Sequence, residues 1–164
     1  MHTDDAEFLY KLMNTVGWLR HIGDRKVYSV KAARQYIREK MYPQLEKLGF
    51  SNNTLFLKSN NTPIGVCGIY FREKENRYDL GYALLPQFEK KGFAIEAASA
   101  VIQKGIKDYK MEKLSAITTK DNDPSQKLLI KSGFHFTGLI TPEGENQELM
   151  LFEWELNKVN GMLA

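Results

Sequence analysis

The stretch "LGYALLPQFEKKGFAIEAASAVIQKGI" restricts the fold more than any other part of the chain. Residues 78–85 read as a half-buried strand. Residues 92–109 read as an amphipathic helix whose inward stripe is Ala94, Ala97, Ala98, Val101, Ile102 and Ile106. Between them lies the basic turn Glu89-Lys90-Lys91-Gly92-Phe93-Ala94, with a glycine where the helix begins. The first amides of a helix lack partners inside it and sit at its positive end, so a phosphate is a natural guest there. Gly92 and the small Ala94 let backbone approach such a group, and Lys90 and Lys91 add charge. A solvated helix start whose glycine merely eases a tight turn fits this stretch equally well. GxxxxGK[ST] and GxGxxG are both absent, which argues against nucleoside triphosphates and dinucleotides.

The remaining pattern alternates helices and short strands. Thr3 is placed to cap a helix carrying Phe8, Leu9, Leu12 and Met13, and Ser29 to cap one carrying Ala33, Tyr36, Ile37 and Met41. The segment "GWLRHIGDRKVY" between them reads as a loop, and Pro43 should bend or break the second helix. Residues 55–58 and 63–71 read as a hairpin across "SNNT", and residues 78–85 return after "REKENR". Further strands are expected at 114–119, 135–140 and 147–156, with a short helix at 124–132. No repeat, linker or low-complexity tract interrupts the chain, so residues 1–164 read as one α+β domain.

Composition narrows the function. A length of 164 residues, 43% of them hydrophobic, suits a single core. A net charge of +3, with both signs dispersed, gives no basic face for nucleic acid. No secretory signal and no bilayer-length apolar run is present, so no membrane contact is expected. The lone Cys67 excludes an internal disulfide framework and fits a reducing cytoplasm; its apolar setting reads as a small buried hydrophobe, not a nucleophile. No His/Cys/Asp/Glu cluster has metal-ligand spacing, so no metal is expected.

A second constellation strengthens the anion reading. In "TTKDNDPSQKLLIKSGF", Asn122 and Ser125 bracket a helix start, Leu128 and Leu129 face a core, and Gly133-Phe134 ends the helix. Capping explains part of this, but two such helix starts after successive strands suggest one ligand lying across both. The order "LGYALLPQFEKKGFAIEA … N-D-P-S-x3-L-x3-G-F" resembles the GCN5-related N-acetyltransferases (GNAT), in particular the branch that acetylates the amino termini of ribosomal proteins. The resemblance spans nearly the whole chain.

The resemblance implies a mixed, mostly antiparallel sheet with a central splayed parallel strand pair, flanked by about four helices. It implies acetyl-coenzyme A as donor, with its pyrophosphate on Lys90, Lys91, Gly92, Phe93 and Ala94. The pantetheine arm would follow backbone of Tyr82, Leu84 and Leu85, and Asn122 and Ser125 would touch its far side. An amine acceptor follows, either a peptide amino terminus or a small amine metabolite. Backbone near Tyr82 would polarise the thioester carbonyl. Asp79 would draw off a proton through water, although a strand-end carboxylate bonded to backbone or to Arg77 remains an open reading. His21, with an imidazole's near-neutral pKa, is a further base candidate set against a histidine that only packs.

Three departures stand out. The family's opening edge strand has no counterpart ahead of the first helix, which would leave the next strand free to pair with a second chain as a homodimer. Glu89 stands where the family usually carries Gln, Arg or an aromatic, so its carboxylate should face solvent. Leu129 replaces a tyrosine that protonates the leaving thiolate, which keeps open a second reading: a catalytically weak coenzyme A sensor or partner-binding module. The loop "GWLRHIGDRKVY", with Arg20, Arg25 and Lys26 against Asp24, and the turn "TPEGEN", with Glu143 and Glu145, should border the acceptor cleft.

Overall fold

A computed structural model describes residues 1–142 and 146–156. Glu143 and Glu145 lie outside the described residues. The helical amino-terminal part opens with a 3-10 turn at Thr3–Asp5 and α1 (Ala6–Met13), then α2 (Val16–His21) and α3 (Val30–Tyr36). Ser29 caps α3 by accepting from the Ala32 amide at 3.0 Å. At the chain start, the His2 amide donates to the Asp5 carboxylate, and the Thr3 side chain makes no cap. The expected loop at 17–28 contains α2, whose Thr15 hydroxyl accepts from the Trp18 amide at 3.3 Å.

Pro43 does not break the second helix. Its missing N–H and bulky ring are absorbed by one π turn, Ile37–Met41, after which α4 (Tyr42–Leu48) carries Pro43 in its first turn. Gly49 then closes α4 in the left-handed region, at φ 79°.

Six strands follow: β1 (Asn52–Phe56), β2 (Pro63–Arg72), β3 (Arg77–Leu84), β4 (Lys113–Thr118), β5 (His135–Ile140) and β6 (Leu149–Glu155). α5 (Phe93–Tyr109) connects β3 to β4, and α6 (Asp123–Lys131) connects β4 to β5. The sheet order is β1-β2-β3-β4-β6-β5, antiparallel except between β3 and β4. Among the described residues, β1 has a neighbour only on its β2 side.

The sheet separates two cores. On one face, α1, α3 and the π turn pack Leu9, Leu12, Ala33, Ile37 and Met41 against Val66. On the other, Ala98 and Ile102 of α5 and Leu129 of α6 meet Cys67, Ile69, Leu80, Leu114 and Phe152. Alternation along β2 decides this, since Val66 and Cys67 point to opposite faces. No helix among the described residues is long and apolar enough to cross a membrane.

Candidate active site

The parallel strands β3 and β4 meet at one registered pair, Asp79 with Ser115, although both run on, to Leu84 and Thr118. They splay apart beyond that vertex. Leu85 donates its N–H to the Ile64 carbonyl at 2.9 Å. In an antiparallel ladder successive residues address opposite neighbours. Ala83 therefore bonds β2, and the N–H and C=O groups of Tyr82 and Leu84 turn into the gap. Leu85 differs from the sequence expectation in this respect. Its amide is committed to Ile64, its carbonyl accepts from Phe88 at 2.9 Å, and its side chain packs on the α1–α3 core.

Past β3, Pro86–Phe88 forms a 3-10 turn, and the basic turn leads into α5. Lys90 (φ 58°) and Gly92 (φ 86°) are both left-handed, and an added Cβ on Gly92 would meet no atom within 4 Å. The first helical bond runs from the Glu96 amide to the Gly92 carbonyl at 3.1 Å, so the amides of Phe93, Ala94 and Ile95 have no partner within α5. A left-handed residue followed by helical ones lines up successive N–H groups as a concave anion cradle. Lys91 Nζ sits 5.8 Å from the centroid of the Phe88 ring, and the Phe88 and Phe93 rings meet edge to face. Glu89 is solvent-exposed.

The α5–α6 face of the gap carries a hydroxyl pair. Tyr82, level with Cys67 across the β2–β3 ladder, reaches α6, where its hydroxyl lies 2.7 Å from Ser125 Oγ. Burial pushes the Tyr82 phenol up to about 12, opposed by its bond to Ser125. Asn122 caps α6, its Oδ1 accepting from the Ser125 amide at 3.2 Å. Leu129, 1% exposed, lies in the core behind this pair.

Asp79 points to the other face, at the vertex. It is 3% exposed, and both carboxylate oxygens are engaged, one by Arg72 Nε and one by the Ser115 hydroxyl. Arg72, not Arg77, is its cation. Tyr70 lies beside it on the same face, its ring so close over Gly81 that a Cβ there would stand 2.6 Å from a ring carbon. Burial raises the Tyr70 phenol far above its ordinary value.

α2 joins the two walls of the open end. Its Gly17 faces Glu89, an added Cβ falling 3.9 Å from Glu89 Oε1. Its last turn docks on the segment after β4: Arg20 contacts Asp121 at 2.7 Å, and His21 Nδ1 lies 2.9 Å from Thr119 Oγ1. Sequence reasoning placed these residues in a loop. Only the capping Thr15 signalled a helix, and nothing local pointed to partners 98 residues away. A cavity of about 510 Å³ lies between the segment after α2 and the following helix, lined by Arg25, Lys26, Gln35, Tyr36, Glu39 and Lys40 among others. No group of three His, Cys, Asp or Glu among the described residues is placed to hold a metal ion.

Comparison with known proteins agrees with this architecture. The family model of the acetyltransferase (GNAT) domain matches residues 1–135. The chain is 29% identical over 142 residues to "Uncharacterized N-acetyltransferase p20" of Bacillus licheniformis, covering 85% of this chain and 79% of that one. It is 26% identical over 137 residues to "Uncharacterized N-acetyltransferase YoaA" of Bacillus subtilis, covering 83% and 77%. Among solved structures, RimL, a ribosomal L7/L12 alpha-N-protein acetyltransferase in complex with coenzyme A, superposes with a TM-score of 0.79 at 15% identity, covering 95% of this chain and 91% of its own. With a family match over most of its length and a parallel strand pair joined at one vertex, the chain belongs to the GNAT acetyltransferases.

Proposed function

We propose that the gap between β3 and β4 binds acetyl-coenzyme A and that the acetyl group passes directly to a primary amine. The observation that carries this reading is the gap itself, whose β3 wall presents the unused backbone groups of Tyr82 and Leu84 and leads straight into the amide cradle from Gly92 to Ala94. A diphosphate on that cradle meets unpaired amides and the charges of Lys90 and Lys91. The pantetheine arm, an amide chain, adds the strand partner that β3 lacks beyond the vertex. Asn122 and Ser125 border its other side.

The reaction needs a carbonyl activator, a neutral amine and a proton for the departing sulfur. The amide of Tyr82 or Leu84 is the activator. The Ser125 hydroxyl, backed by Tyr82, is the proton source, which supplies what Leu129 lacks. Asp79 is 3% exposed and held by Arg72 and Ser115, so its oxygens are not open to an amine or to bulk water. We therefore assign Asp79 to fixing the vertex and orienting the β3 wall. Much of the acceleration is positional, because holding amine and thioester together removes a large entropic barrier.

For the acceptor we propose a peptide amino terminus or a small amine that also carries an anionic group. Support comes from the charges around the cavity that follows α2, where Arg25, Lys26 and Lys40 outnumber Glu39. Like charges there disfavour polyamines. The outer edge of β1, which has no partner among the described residues, is the edge through which two copies would pair as a homodimer; sedimentation of Thr54→Pro against the parent tests it.

Titration calorimetry with coenzyme A, followed by acetyl-coenzyme A turnover with free-amino-terminal peptides and with spermine, tests the whole reading. Donor heat with peptide turnover supports it. Donor heat without turnover of any amine leaves a coenzyme A-binding module, and spermine outpacing every peptide reverses the choice of acceptor. No donor heat at all rejects the site.

A further inference from the structure

We propose that Arg77, flanked by Arg72 and Lys113, forms an oxyanion-binding site on the far side of the vertex from the gap, and that the site takes a carboxylate or phosphate group. This inference stands apart from the transferase reading and does not depend on it.

The strand registers build the site. Arg72 and Arg77 are directly opposed across β2 and β3. Arg77 stands two residues before Asp79, and Lys113 two before Ser115, so on these parallel strands the two cations are level. Lys113 in turn opposes Glu155 on β6. Alternation gives Arg77 the face of Asp79 and Lys113 the face of Ser115, and those two side chains are bonded to each other. One row across the sheet therefore reads Arg72, Arg77, Lys113, Glu155. It lies behind the vertex, because β3 and β4 splay in the other direction, toward Leu84 and Thr118.

The charges of this row are met unevenly. Arg72 Nε donates to Asp79, and Lys113 pairs with Glu155 at 2.6 Å. Asp79 has no oxygen to spare, since its other one accepts from Ser115. Glu73, in the turn that joins β2 to β3, is held by Lys47 at 2.8 Å. Glu153 lies one row on and opposes Ser115, with Lys113 between it and Arg77. Arg77 is left between two cations. Its Nε and Nη2 are buried and have no hydrogen-bond partner among the described residues.

Those two atoms point to the class of ligand. Nε–H and the Nη2–H beside it form one edge of the guanidinium fork, the edge that matches the oxygens of a carboxylate or a phosphate. Arg20 uses this same edge on the Asp121 carboxylate, with Nε at 3.0 Å and Nη2 at 2.7 Å. Like charges directly opposed across two strands weaken a ladder. Buried donors of a charged group left without acceptors cost more than neutral ones. A water satisfies the donors but brings no charge to the row. An oxyanion does both. The row is also open to it, since the Arg72 side chain is 32% exposed and that of Lys113 76%.

The test follows the Nε–H resonance of Arg77 and the melting temperature as sodium phosphate or sodium acetate is added, against sodium chloride at equal ionic strength. We expect the resonance to move downfield and saturate, with the melting temperature rising over the same range of concentration. A response to phosphate alone assigns the site to phosphate groups, and one to acetate alone assigns it to carboxylates. Arg77→Lys keeps the charge and loses the fork. In that variant the concentration giving half the thermal shift should rise about tenfold or more, the worth of one charge-assisted hydrogen bond, while the coenzyme A heat stays that of the parent. Assignment of the resonance through the Arg77 backbone keeps the parent titration decisive even where the variant does not fold. Saturation in neither salt, a response that chloride matches, or an Nε–H signal lost to solvent exchange in every salt would leave only water or an adventitious ion at Arg77 and overturn the inference. A thermal shift retained in full by Arg77→Lys would overturn it as well.

Discussion

Asp79 and Ser115 face each other across β3 and β4 as the one registered pair between these strands, bonded side chain to side chain. The same carboxylate holds the half-buried Arg72, so a three-residue network closes the vertex, with Asp79 and Ser115 buried within it. Replacing Asp79 by Asn removes the charge opposite Arg72 and should cost about 2 kcal/mol of stability. Urea unfolding measures that loss. A variant as stable as the parent but inactive would instead return Asp79 to the chemistry.

Ala94 lies half-buried in the first turn of α5. A carboxylate there opposes an anion electrostatically and fills the approach to the amides. Ala94→Glu should remove all detectable coenzyme A heat while the circular dichroism spectrum stays that of the parent. Retained heat would move the diphosphate elsewhere.

Ser125→Ala tests the departing side of the reaction. Its hydroxyl is the partner of Tyr82 Oη, and its amide, not its side chain, takes the Asn122 cap, so α6 should persist. Turnover should fall roughly tenfold or more, with coenzyme A affinity nearly unchanged. A fall in affinity alone would reduce Ser125 to a binding contact.

Asp121 is held below the ordinary carboxylate range, at about 2, first by the Thr119 hydroxyl and next by Arg20. A folded value below the unfolded one stabilises at higher pH, and that contribution disappears as pH falls through the folded value. The clasp of α2 on the β4–α6 segment should therefore hold at pH 5 and loosen between about pH 4 and pH 2. Carboxyl carbon resonances followed through that range should give Asp121 the low midpoint. Arg20→Ala should raise it.

Much of this was legible in sequence because it is local. The β5 boundaries, residues 135–140, are marked by a glycine turn before and a proline turn after, and α5 by its stripe of alanines and isoleucines. The left-handed glycine at the start of α5 was legible as a helix start, although the stretch by itself fitted a solvated tight turn as well as an anion cradle. α2 was hidden because its six residues expose Val16 and Leu19, leaving only Trp18 buried and no inward stripe to read. The partner of Asp79 was misread for a similar reason. Arg77 is nearer in sequence, but Arg72 is brought alongside only by the β2–β3 register. The Tyr82–Ser125 and His21–Thr119 contacts join segments 43 and 98 residues apart, and only the folded chain assembles them.

Cys67 is the single thiol of the chain, it has no exposed surface, and burial pushes it up to about 12. It sits behind the sheet wall that the gap uses, level with Tyr82, and stays a thiol at any pH a cell maintains. The protein thus has no sulfur on which an acetyl group can wait after coenzyme A has gone. The direct transfer proposed above expects double-reciprocal plots at several fixed donor concentrations to converge instead of running parallel. The protein is also spared a common liability: oxidants and alkylating agents find no thiolate to attack, so its turnover should survive iodoacetamide.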